Sequence, residues 1–207
     1  MAASVQTRYY HGSSPGTPTS DVTGTTVRFK LADNDTQDSN TPIPLPVSGL
    51  NLSWRKSSKV NFVSTPAGAI SNLRWFLATA LVTGIRLFAR VQTTGLYIVA
   101  SSADQAGISG FTDSGGNQTT NDATQYTSAS PLSVTAGTVL SNPNTGEGTQ
   151  VFVETQAAVG STYAGGPGPI SPFTLTYRYA ETIWLLVGSL SLAAHFLIHS
   201  IKLLAEI

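Results

Sequence analysis

The chain has 207 residues, of which only 11% are charged, against about 25% in typical soluble domains. Its length suits one domain with a real core, and its net charge of zero removes any global electrostatic case for nucleic-acid binding. The absence of cysteine excludes disulfides, zinc-thiolate centres and cysteine nucleophiles.

Residues 1–24 read as an extended, flexible N-terminal arm. The opening MAASVQTRYYHGSSPG is polar and small, and Pro15, Gly16 and Pro18 prevent regular structure. It has no apolar stretch of the kind a secretory signal needs, so export by that route is not expected. Tyr9 and Tyr10 are the adhesive part of the arm, since rings in a mobile segment bury large area on a neighbour at modest entropic cost.

Residues 25–181 read as the β domain. TTVRFKL alternates Val27, Phe29 and Leu31 with Arg28 and Lys30, a half-buried strand. The loop after it holds Asp33, Asp35 and Asp38. A calcium loop starting at Asp33 would need glycine at its sixth position and glutamate at its twelfth, where this chain has Asp38 and Pro44. A solvated acidic loop is expected instead. Pro42, Pro44 and Pro46 then alternate with Ile43, Leu45 and Val47. This spacing forces an extended, donor-poor backbone suited to a sheet edge or a clamp over a core.

From Asn40 to Ser102 there is no acidic residue, while Arg55, Lys56, Lys59, Arg74, Arg86 and Arg90 are all basic. Within this run Arg55, Lys56, Lys59, Arg86 and Arg90, together with Tyr9 and Tyr10, are the candidate partner surface, a basic face for an acidic protein lattice. The competing reading is scattered solvated charge on outer strand faces. Residues 85–100 read as a hairpin, GIRLFARV and LYIVA joined at TTG. A polar excursion follows from Ser101 to Ser130, a length that is normally functional or disordered. PLSVTAGTVL, QVFVET and PFTLTYRYAE supply further strands. The last has the sharpest alternation, with Phe173, Leu175, Tyr177 and Tyr179 on one face. The expected fold is mainly β, an antiparallel β-sandwich or jelly-roll-like barrel.

Residues 182–207 read as one C-terminal apolar helix, with no formal charge and no proline from Ile183 to Ile201. Ile183, Val187, Leu190, Ala194, Leu197, Ile201 and Leu204 fall alternately four and three residues apart, the spacing of an oligomer seam. Gly188, Ser191, His195, His199, Lys202 and Glu206 line the other side. Burial in an assembly is the favoured expectation, and a membrane tail anchor is the alternative. His195 and His199 at i and i+4 are two of the three or four ligands a zinc ion needs, and only Glu206 is near, so no metal is expected.

No catalytic template is satisfied. There is no phosphate-binding glycine loop, no nucleophile elbow and no H-E-x-x-H, and no cofactor is implied. Glu147 and Glu154, the sole close glutamate pair, are the one candidate for carboxylate chemistry. The chain is therefore read as non-enzymatic.

The cysteine-free, Ser/Thr/Gly-rich strand series, the arm, the TPIPLP…GLNLSWRK segment and the FTLTYRYAET strand together resemble structural proteins of tailed-bacteriophage virions. Capsid decoration (cement) proteins are the nearest class, with tail-tube and neck proteins close behind. That resemblance implies a virion protein on the capsid surface that oligomerises, a trimer being favoured, and braces the major coat protein, with no specific nucleic acid as partner. The rival reading is a surface β domain held in a membrane by its C-terminal helix. A third, a carbohydrate-binding sandwich, needs exposed tyrosines and tryptophans clustered on one loop face.

Overall fold

The computed structural model describes residues 4–11, 26–34, 40–64, 69–92, 122–134, 152–165, 173–182 and 194–205. These residues are mainly β, in two largely antiparallel sheets, and no α-helix occurs among them. In chain order the strands are β1 (Val5–Tyr10), β2 (Thr26–Phe29), β3 (Leu50–Leu52), β4 (Lys56–Phe62), β5 (Ile70–Leu77), β6 (Ile85–Val91), β7 (Leu132–Ser133), β8 (Val153–Gly160), β9 (Phe173–Thr182) and β10 (Ala194–Ala205). A single 3-10 turn, Ala123–Gln125, precedes β7.

The first sheet is organised around β8. One edge of β8 pairs with β6 along its length, Ile85 opposite Val159 through Val91 opposite Val153. Its other edge is shared by β3, with Leu50 opposite Gly160, and β4, with Ser58 opposite Val153. Residues 53–55 interrupt what is otherwise one strand. Ser53 keeps its link to β8, because its amide donates to the Ala157 carbonyl and its hydroxyl accepts from the Ala157 amide. β1 completes this sheet against β4, from Val5 opposite Phe62 to Tyr10 opposite Ser57.

The second sheet has the order β2-β10-β9-β5-β7, with β2 parallel to β10. In β5 the register slips between Ser71 and Arg74, and Asn72 adopts a φ of 53°. Asparagine is among the side chains that tolerate this left-handed conformation, and it lets the strand bulge without glycine.

Val5, Val60, Phe62, Leu87 and Val153 from the first sheet share one buried cluster with Phe29, Trp75, Leu77, Leu175 and Tyr179 from the second. Polar groups also cross between the sheets. The Tyr177 hydroxyl lies 2.9 Å from the Ser58 hydroxyl and 3.2 Å from the Ser58 carbonyl, and Ser58 Oγ is itself 3.3 Å from the Val153 carbonyl.

Two expectations about the fold are corrected. Residues 5–10 of the expected arm form β1, and Tyr9 and Tyr10 are buried inside the chain. Residues 1–3 and 12–24 of that arm lie outside the described residues, as do residues 93–100 of the expected hairpin; β6 pairs with β8. The largest correction concerns the C-terminal helix. Residues 194–205 form β10, a 12-residue strand paired antiparallel to β9 and parallel to β2. A continuous apolar run suits a strand between two neighbours as well as a helix. Here the second sheet supplies partners on one edge from Ala194 to Leu203 and on the other from Lys202 to Ala205. Ala194, Leu197, Ile201 and Leu204 of the expected seam therefore belong to a sheet, where odd and even positions point to opposite faces, so these four form no helical seam. Ile183, Val187 and Leu190 lie outside the described residues. Among the described residues no helix is long and apolar enough to cross a membrane.

Burial raises the Tyr177 hydroxyl well above its ordinary value, with the Ser58 hydrogen bond pulling less strongly the other way. Tyr179 is pushed up to about 12 by burial and, secondarily, by the charge of Glu181. Both rings ionise more easily in the unfolded chain, so their contribution is intact below about pH 10 and is lost as the pH rises through the folded values. Spectrophotometric titration is expected to show a late tyrosine class coincident with alkaline unfolding. Tyr177→Phe should lower stability by about 1–2 kcal/mol in urea denaturation, the cost of breaking a buried hydrogen-bonded group.

Candidate functional site

The residues of the basic run are mostly used inside the protein. Lys56 begins β4 on the core side, and its ammonium donates to the carbonyls of Ala32 at 3.3 Å and Asn34 at 3.2 Å. Asp33 Oδ1 is 3.6 Å away, and the Tyr9 ring centroid is 5.6 Å away. Residues 32–34, which open the loop that fails as a calcium site, thus close over a lysine whose donors meet carbonyl and carboxylate oxygens.

On the opposite face of the first sheet Glu154 is completely buried between two guanidiniums. Arg55 approaches its Oε1 at 3.2 Å, and Arg90 donates to its Oε2 at 2.6 Å. Glu154 and Arg90 are directly opposite in the β6–β8 register, and Arg55, just before β4, comes in from the other side. Lys59 lies 4.1 Å from the Phe152 ring centroid, and burial pushes its amine below the ordinary lysine value.

These contacts correct the expected partner surface. Tyr9, Tyr10, Arg55, Lys56 and Lys59 are buried, so those five present no basic face to a partner. Arg90 is partly covered, and Arg86 is the most exposed, 3.8 Å from Asp122. Glu154 is committed to two arginines, and its expected companion Glu147 lies outside the described residues. His195 and His199 fall on β10 opposite Glu181 and Tyr177. Positions four apart on a strand are separated by about 13 Å, too far for both to bind one metal ion. Among the described residues no group of three or more His, Cys, Asp or Glu is placed to hold a metal. Tyr9, Tyr10, Trp75, Tyr177 and Tyr179 are buried, so they supply no exposed platform for a sugar.

A different region carries the exposed apolar groups. Ile43 is sunk in the core, and the Asn51 side-chain amide donates to the Pro44 carbonyl at 2.7 Å. Beyond that anchor Leu45 is 52% and Val47 103% exposed. The strap ends at Gly49, with a φ of 72°, where the Ser161 amide reaches the Gly49 carbonyl at 3.3 Å. On the other side of β8, the Gly160 amide donates to the Gly84 carbonyl at 2.7 Å. Gly84 has a φ of 86°, and a Cβ there would fall 2.4 Å from the Tyr163 Cα. Only glycine fits that turn.

Gly49 and Gly84 therefore flank Gly160 at one end of the first sheet, two strand spacings or about 10 Å apart. Beside Gly84 is an open cleft of about 580 Å³, lined by residues 76–85 and by Thr124, Thr127 and Ser128. No charged side chain lines it, and Val82 on its rim is 39% exposed. Residues 40–54, 75–85 and 155–165, which include this end of the sheet, contain no formal charge. The sequence signal was the proline alternation at 42–46 together with these charge-free runs. The cleft had no signal, because residues 122–130 are distant in sequence.

Comparison with protein-family models, with curated proteins and with solved structures returned no match.

The Arg55–Glu154–Arg90 cluster predicts an asymmetric response to substitution. Glu154→Gln alone should cost about 3–5 kcal/mol, because it strands two buried or half-buried guanidiniums. Replacing all three with Met, Leu and Met should recover most of that loss in urea denaturation.

Proposed function

We propose that this chain is a non-enzymatic structural protein of a virion, a self-associating β-sandwich that braces a capsid by packing against its coat-protein lattice. The decoration role comes from the resemblance of its strand series, proline strap and FTLTYRYAET strand to that class. One observation carries the broader reading of a packing protein. Among the described residues Arg55, Lys56, Arg90 and Glu154 are paired within the fold, while Leu45, Val47 and Val82 are exposed. Adjacent exposed apolar groups, such as Leu45 and Val47, mark a surface that meets another protein. The two-sheet core supports a sandwich, since residues from both sheets share one buried cluster.

Mass spectrometry of purified particles, from the virus whose genome encodes this chain, is the test. Its peptides should occur at a copy number comparable with the coat protein. Their absence from particles, with recovery of the chain in the membrane fraction, overturns the virion reading.

A further inference from the structure

We propose that Arg74 and Arg178 form an oxyanion site on the outer face of the second sheet, which takes a carboxylate or phosphate group between two guanidiniums. The site goes beyond the packing role and does not depend on it.

The two arginines stand directly opposite each other in the β5–β9 register. Like charges at such positions, with Cβ atoms about 4.5–5.5 Å apart, repel and destabilise a sheet. The bulge in β5 creates this pair. Before it Ser71 faces Ala180 and after it Arg74 faces Arg178, so Asn72 and Leu73 together stand opposite Tyr179. Continuing the earlier register would set Arg74 opposite Tyr177, whose ring lies in the core. The extra residue thus delivers Arg74 to the outer face while Trp75 and Leu77 stay buried. Bulges re-aim side chains in this way next to functional sites.

Both side chains converge on one short segment. Arg74 donates to the Ser133 hydroxyl, and Arg178 passes 5.9 Å from the Phe76 ring centroid to donate to the Ser128 carbonyl at 3.2 Å. These partners are neutral, and residues 123–134 contain no charged side chain. Among the described residues neither guanidinium meets a carboxylate, in contrast to Arg55, Arg86 and Arg90. Glu181, the acid of β9, is buried on the face that carries Tyr177 and Tyr179. Register places Arg28 and Lys202 on the arginines' own face, which adds positive charge there. A half-buried positive pair is costly without a counter-ion, and guanidiniums hold carboxylate or phosphate oxygens bidentately.

Binding of sodium phosphate and of sodium acetate to the full chain is measured by titration calorimetry in Tris–chloride, at neutral pH and fixed ionic strength. The unsubstituted protein is compared with Arg74→Gln, Arg178→Gln, Arg74→Glu and Arg86→Gln. One anion should bind per chain, and the anion that saturates at the lower concentration identifies the ligand group as phosphoryl or carboxylate. Arg74→Gln and Arg178→Gln should each weaken binding about tenfold or more, the loss of hydrogen bonds to a charged group. Arg86→Gln, on the first sheet, should bind as the unsubstituted protein does. Arg74→Glu should abolish binding and, in chloride alone, raise the thermal midpoint, because opposite charges then face each other across the strands.

Failure of both anions to bind one per chain, or binding that survives in both Gln variants, overturns the site. A thermal midpoint lowered by Arg74→Glu shows that the chain already neutralises the pair, and overturns it equally.

Discussion

The structure depends on β4 being buried on both faces although its sequence, KSSKVNF, holds only two apolar residues. All seven of its residues are buried. A polar group taken out of water costs free energy unless it finds a partner, and each neighbour of β4 supplies one. The loop at residues 32–34 caps Lys56, β9 offers Tyr177 to Ser58, and Phe152 lies beneath Lys59. Gln6 on β1 faces Asn61 at 3.5 Å. Because these partners come from so many segments, β4 ties β1, β8, β9 and the acidic loop to one arrangement.

The same requirement explains how a chain of low charge uses its ions. Arg55, Arg90 and Glu154 form a buried network rather than a surface one, and such a network adds little net stability over an apolar replacement. What it adds is a penalty for misalignment. A one-residue slip of β6 against β8 would turn Arg90 away from Glu154 and leave buried charge uncompensated. In a strand series rich in serine, threonine and alanine, whose side chains discriminate poorly between registers, such a penalty selects one pairing.

Among the described residues the exposed apolar groups Leu45, Val47 and Val82 lie apart from this ionic network. The strap and the cleft depend on the same three strand ends, and those ends are held by backbone hydrogen bonds at Gly49, Gly84 and Gly160 rather than by side chains.

Local pattern was enough for much of the β architecture. Period-two alternation marked β2, β6 and β9, and proline spacing marked the strap. Alternation reports that one face is buried, so it cannot reveal a strand covered on both faces by polar side chains, and β4 was read as a source of surface charge for that reason. Nor could it decide the C-terminal run, where a heptad spacing and a two-faced strand fit the same residues. The hydrogen-bonding edges of β9 and β2 decided that. The sequence alone determined that the protein is β-rich, cysteine-free and low in charge, at 11%. Tertiary structure alone decided which basic residues are paired inside and which apolar ones remain exposed, because each depends on partners brought together from distant parts of the chain.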